Sequence, residues 1–117
     1  MGMCELYDAM GVEYDDVLAL LRREDRIKLY FTQMMEDPSF RELDRAMAEQ
    51  EYSAAFKAAH TIKGMCVNLM IEPLAKASIA LVECLRSEPV DETEAASLYA
   101  RLRNEHDLLL SRWNELV

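Results

Sequence analysis

Apolar residues recur at three- and four-residue spacing through most of this chain, and almost nothing interrupts them. Only three glycines and three prolines occur in 117 residues. Each interrupts a helix, at about 1 kcal/mol for glycine and about 3 kcal/mol for proline relative to alanine. Alanine, leucine, methionine, glutamate and arginine are abundant, and all favour helix over strand. No strand signal competes. A chain of this length buries one modest core. Amphipathic helices joined by short turns then predict an all-α fold: an antiparallel up-and-down four-helix bundle with one or two short extra helical segments at the N-terminus. Residues 1–117 read as one domain, with the bundle over about 24–116 and an N-terminal extension over about 1–23.

The few breakers place the boundaries. A short helical turn is expected before Gly11, and Tyr14 or Asp15 opens a helix through about Arg23 with Val17, Leu18, Leu20 and Leu21 apolar. Helix continues through "REDRIKLYFTQMMED", where Ile27, Tyr30, Phe31 and Met34 form a stripe. Pro38 breaks or kinks it, because proline has no amide hydrogen to donate, and suits the first turn of the next piece. Phe40, Leu43, Ala46 and Met47 line one side of that piece. Pro73 marks the end of the following helix or the start of another, striped by Leu74, Ala77, Leu81 and Leu85. In the last helix Leu98, Leu102, Leu109, Trp113 and Leu116 continue the apolar face. Asp91 and Thr93 both suit its N-cap, and Glu94 stands three residues after Asp91.

Charge and cysteine usage exclude several functions. A net charge of −9 opposes binding to nucleic acid and gives no attraction to an anionic membrane. It suits a solvated surface, or a protein partner with basic patches. Cys4, Cys66 and Cys84 are odd in number and lack metal-binding spacing, so they read as reduced thiols, Cys66 and Cys84 packing as small hydrophobes. No basic-then-apolar leader and no membrane-length apolar run occurs. A cytoplasmic location is the expectation.

The segment "KAAHTIKGMCVNL" carries the functional signal. At about 100° per residue, with His60 at zero, Ala55, Ala59, Ile62, Cys66 and Leu69 fall at roughly 180° to 260°. They form a bundle seam, so His60 points nearly opposite the core. Around it lie Lys57 and Phe56 one turn back, Lys63 and Gly64 one turn on, and Val67 two turns on. Gly64 is turned outward, so packing within the bundle does not account for it; clearance beside the imidazole does. An imidazole in water titrates near pH 6.5 and is a competent nucleophile when neutral. A phosphoryl group on it would bring negative charge that a lysine one turn away can bind. Phosphoryl transfer needs in-line positioning and charge neutralisation. The patch supplies an acceptor and a cation, but no base, nucleotide loop or magnesium-binding carboxylates, which a partner must bring.

These residues resemble the histidine-containing phosphotransfer (HPt) domain family. Its H-x-L-K-G signature stands here as "HTIKG", with Ile62 for leucine, preceded by Ala58 and Ala59 and followed by Asn68 and Leu69. The likeness extends to "GVEYDDVLALL" and "EYSAAFKAAH". The resemblance implies His60 as phosphoacceptor through Nε2, Lys63 as the contact to the phosphoryl oxygens and Gly64 as the point of access. It implies Phe56, Lys57, Thr61 and Val67 as docking residues. The partners it implies are response-regulator receiver domains, which bring their own magnesium, and a sensor histidine kinase; the chain itself needs no cofactor or metal and has no kinase activity. Two positions depart from the family pattern: Met70 stands where a glycine is usual, and Val82 where many members have a polar residue near the histidine.

Blander readings exist for each feature. Phe56 and Val67 equally suit packing under the N-terminal helices. His106, between Glu105 and Asp107, reads as ordinary surface. The eight methionines read as core filler and the paired acids as solvated faces. The rival function is a non-catalytic helical adaptor that docks a receiver or another signalling domain without accepting phosphate. A metal- or cofactor-binding bundle fits poorly, because the projected seam is apolar. One exposed patch on a short chain suggests a monomer.

Overall fold

The computed structural model describes residues 2–116, and seven helices account for about four-fifths of them. They are α1 (Met3–Ala9), α2 (Tyr14–Leu21), α3 (Glu24–Met35), α4 (Ser39–Ala48), α5 (Tyr52–Asn68), α6 (Glu72–Leu85) and α7 (Glu92–Asn114). The fold is the expected all-α bundle. Helix α5 packs on α4 and α6, and α6 packs on α7. The fourth side is closed by long side chains. Phe40 of α4 stacks on His106 of α7 with ring centroids 4.1 Å apart, and Asp44 accepts a hydrogen bond from Tyr99 and pairs with Arg103 at 3.3 Å. These pairs run in opposite sequence order, so α4 and α7 are antiparallel.

The helical seams bury what their periodicity promised. Ala55, Ala59, Ile62 and Cys66 of α5 and Leu74, Ala77, Leu81 and Leu85 of α6 are all core residues. So are Phe40, Leu43 and Ala46 of α4 and Leu102 and Leu109 of α7. Two expectations need correction. Tyr30 is 41% exposed, because only Ile27, Phe31 and Met34 of α3 face inward and Tyr30 borders an open groove toward α2. The helix is also not continuous from Tyr14 to Asp37. Arg22 adopts φ 78°, its amide donates to Leu18 O, and the chain restarts at Glu24. Pro38 precedes α4 as its cap, its carbonyl accepting from the Glu42 amide. Asp91 caps α7, its carboxylate accepting from the Glu94 amide at 3.0 Å.

The N-terminal helices close the end of the bundle where α5 turns into α6. Tyr7 is fully buried there, and its hydroxyl donates to Leu69 O at 2.7 Å. Burial holds its acidity well below that of a free phenol. Its ring meets Phe31 edge-on at 6.3 Å, and Phe31 stacks on Trp113 at 4.7 Å. This aromatic column ties α1, α3 and α7 to the last residue of the α5 turn.

That turn explains Met70. The Ile71 amide donates to Cys66 O and the Met70 amide to Val67 O, a Schellman ending whose pivot must be left-handed. Met70 is that pivot, at φ 55°. The same ending follows α1 at Gly11, φ 76°, where glycine meets the requirement without strain. At Met70 a side chain holds the conformation at a cost of about 1–2 kcal/mol.

Candidate functional site

Helix α5 differs from the other six in charge. It carries two lysines and a histidine and no carboxylate, whereas every other helix carries at least two acids. In a chain of net charge −9 it is a cationic island. Its inner face supplies the core. Burial pushes the Cys66 thiol there up to about 12, so Cys66 stays a neutral core group and Cys84 is likewise buried.

The outer face is where the sequence placed it. His60, Lys57, Thr61, Gly64 and Val67 are exposed, and Phe56 and Lys63 are half-buried. The imidazole lies 6.0 Å from the Phe56 ring, tilted by 38°. Lys63 stands one turn on from His60, a spacing that brings Cβ atoms within about 5–6 Å. Among the described residues neither Lys57 nor Lys63 makes an ion pair. A Cβ built on Gly64 meets nothing within 4 Å. Neither crowding nor a left-handed backbone demands glycine at this position. Val67, at 48% exposure, does not pack under the N-terminal helices, and Phe56 lies beside the histidine. Thr61 donates to Lys57 O at 3.1 Å, which orients its side chain along the helix.

Two surfaces flank this face. Toward α4, a groove of about 440 Å³ runs between Pro38, Ser39 and Glu42 on one side and Lys57, Ala58 and Thr61 on the other. Toward the capped end, a mainly apolar groove of about 520 Å³ lies between Leu20 and Leu21 of α2, Tyr30 and Met34 of α3, and Met65 and Leu69 of α5.

Helix α6 contributes something the sequence reading missed. Val82 is fully buried, so this position presents only core hydrocarbon. One turn later Arg86 places its guanidinium carbon 5.7 Å from the centroid of Phe56. Arg86 is 30 residues from Phe56 in sequence and follows another helix, so no single-helix projection could bring the two together. Only the α5–α6 hairpin does.

The other histidine is not surface. His106 is 9% exposed, stacked on Phe40, with its Nε2 buried and without a partner. Burial lowers its basicity, and the Arg103 guanidinium, 3.5 Å from Nδ1, lowers it further. Asp107 and Asp44 oppose that shift weakly. Leu102, His106 and Leu109 share the i, i+4, i+7 stripe of α7, which is why the ring points inward. No cluster of candidate metal ligands occurs among the described residues, and no described helix is long and apolar enough to cross a membrane.

Against this geometry, the model of the Hpt domain family matches residues 27–112, from within α3 to near the end of α7. The match covers well over half of the chain and includes all of α4, α5 and α6. The chain belongs to the Hpt domain family. Comparison with curated proteins and with solved structures gave no match. Hpt domains serve phosphotransfer in phosphorelays as carriers rather than kinases, and the family interacts with receiver domains and kinases.

Proposed function

We propose that His60 is the phosphoacceptor of a phosphorelay intermediate that exchanges its phosphoryl group with an aspartate of a response-regulator receiver domain. The observation that carries this reading is the pairing of an exposed imidazole with an empty Cβ position on the acid-free helix. Glycine costs about 1 kcal/mol in a helix interior. Nothing inside the fold offsets that cost at Gly64, so its gain lies with a molecule that approaches from outside.

The transfer follows from the side chains. Neutral His60 keeps its proton on Nδ1 and directs the Nε2 lone pair at the phosphorus of the partner's aspartyl phosphate. The N–P bond forms as the acyl-phosphate O–P bond breaks, and the aspartate leaves as a carboxylate. Lys63 takes the phosphoryl oxygens in a charge-assisted contact. Phe56, Lys57, Thr61 and Val67 surround the ring as the docking surface, and the bare backbone at Gly64 admits the receiver's active-site loops. Magnesium belongs to the receiver; the chain's own face offers no carboxylates to hold it. The protein acts as a phosphocarrier without kinase activity, as a cytoplasmic monomer of one domain.

The test is incubation with phosphorylated receiver domains, followed by mass spectrometry at alkaline pH. The expected product is one acid-labile phosphoryl group on His60. A stable complex with a receiver and no phosphohistidine would instead make the protein a docking adaptor.

A further inference from the structure

We infer that Phe56 is a positioning residue for His60: its ring holds the imidazole in one placement on the outer face of α5, ready for the incoming phosphorus. This assignment rests on the function proposed above and deepens it, since Phe56 there serves as docking surface alone. Among the described residues neither ring nitrogen of His60 has a hydrogen-bond partner. A reactive imidazole is ordinarily oriented by a hydrogen bond at its second nitrogen. His60 is oriented by an apolar neighbour instead. The Phe56 ring lies 6.0 Å away and is tilted by 38°, within the range of about 4.5–7 Å over which aromatic rings attract each other.

Helix geometry gives the contact a direction. Side chains on a helix lean back toward its N-terminus, so residue i+4 comes to lie over residue i. His60 therefore leans onto Phe56, four residues earlier, and away from Gly64, four residues later. Phe56 makes a firm support, because it is half-buried and packed against the core, whereas His60 is exposed. Left to itself, an exposed histidine on a helix has about four ring placements. Two χ1 wells remain once the one that clashes with the preceding turn is removed, and χ2 is roughly two-fold. The phenyl ring selects among them. Because the contact is apolar, it orients the imidazole without occupying either nitrogen: one is left for phosphorus, and the other keeps its proton in water. His106 shows the contrast, with the Arg103 guanidinium 3.5 Å from its Nδ1. Positioning is a large part of what a protein contributes to phosphoryl transfer, so the hold on the ring acts on the rate directly.

The experiment uses the full chain and two donors, a phosphorylated receiver domain and phosphoramidate. Phosphoramidate needs no docking surface; its P–N bond breaks as Nε2 bonds to phosphorus, and ammonia leaves. Phe56→Ala should slow labelling of His60 by phosphoramidate about fourfold, as the ring is released into its four placements. With the receiver, kcat should fall by a similar factor. The three-bond couplings of the His60 β-protons should report one χ1 rotamer in the unsubstituted protein and an average in the variant. Phe56→Leu fills the half-buried site should the alanine variant fold poorly, and it should average the couplings too. Phe56→Tyr, which keeps the ring, should recover most of the rate lost in Phe56→Ala. A residue that only docks the receiver would raise KM for that donor and leave the couplings and phosphoramidate labelling as they are. That result, or a Phe56→Tyr protein as slow as Phe56→Ala, would overturn the assignment of Phe56 while leaving His60 in place. Absence of phosphohistidine from the unsubstituted protein with both donors would overturn the proposed function and this assignment together.

Discussion

His60 and His106 are the two imidazoles of this chain, and the bundle treats them oppositely. Each has a phenylalanine as its nearest aromatic neighbour. For His60 it is Phe56, on the same helix, tilted and 6.0 Å away, the imidazole exposed and the phenyl ring half-buried. For His106 it is Phe40, on the facing helix, stacked at 4.1 Å and buried. The first ring is free to meet another molecule. The second joins α4 to α7 and leaves its Nε2 without a partner. An exposed imidazole retains its lone pair for chemistry, while a buried one spends its surface on packing. The difference shows that a histidine's chemistry is read from the face its helix presents and not from its sequence neighbours. His106 has acidic neighbours and is buried; His60 has apolar and basic neighbours and is exposed.

Substitutions at the two rings should therefore separate function from stability. The largest effect is expected from His60→Gln, which should abolish phosphohistidine formation and leave the melting temperature unchanged. Residual labelling on the variant would place the acceptor elsewhere. His106→Ala should do the reverse. Loss of a stacked core ring should cost about 2–4 kcal/mol, at the lower end of large-to-small core substitutions, in urea unfolding. His60 should still accept phosphate in the fraction that remains folded. If the variant unfolds like the parent, the α4–α7 contact is not structural.

A smaller, paired effect should distinguish the two ends of α5. Met70→Gly relieves a left-handed side chain and should stabilise the protein by about 1 kcal/mol with no change in transfer. Gly64→Ala should stabilise by a similar amount, about 1 kcal/mol, because the added methyl meets nothing. It should nevertheless slow transfer from a receiver. A Gly64→Ala variant that transfers at the parental rate would remove clearance as the reason for that glycine.

The smallest effect should be a pH slope. Folding lowers the basicity of His106 below that of a free imidazole, so the unfolded chain binds its proton first. The stability due to neutral burial is complete above the unfolded pKa of about 6.5. It is lost progressively as pH falls below that value toward the lower folded pKa. His106→Leu keeps the volume, removes the unpaired nitrogen and should flatten this part of the stability profile. An unaltered profile would assign the slope to carboxylates instead.

Much of this was legible in one dimension. The seam of α5 and the outward turn of His60 follow from residues 55–69 alone, because a helix obeys its own period whatever packs against it. The cap at Asp91 was equally local. The inward turn of His106 follows from the same period, since Leu102 and Leu109 share its stripe, whatever the charge of its sequence neighbours. Tyr30 failed for the opposite reason. Its period was right, but the ring borders an open groove toward α2 and not covered core. Arg22 is a break without glycine or proline, and no residue type announced it.

Helical period and composition thus set the number of faces, which of them is apolar, and which side chains surround His60 along its own helix. These are short-range consequences of backbone geometry. Tertiary packing alone decided that Arg86 meets Phe56, that Val82 is withdrawn from the surface, that Phe40 receives His106, and that Tyr7 pins the end of α5. Each joins residues at least 30 apart or depends on which helix lies alongside. Such contacts depend on how two helices rotate and slide against each other, a choice made by the whole core and not by any single segment.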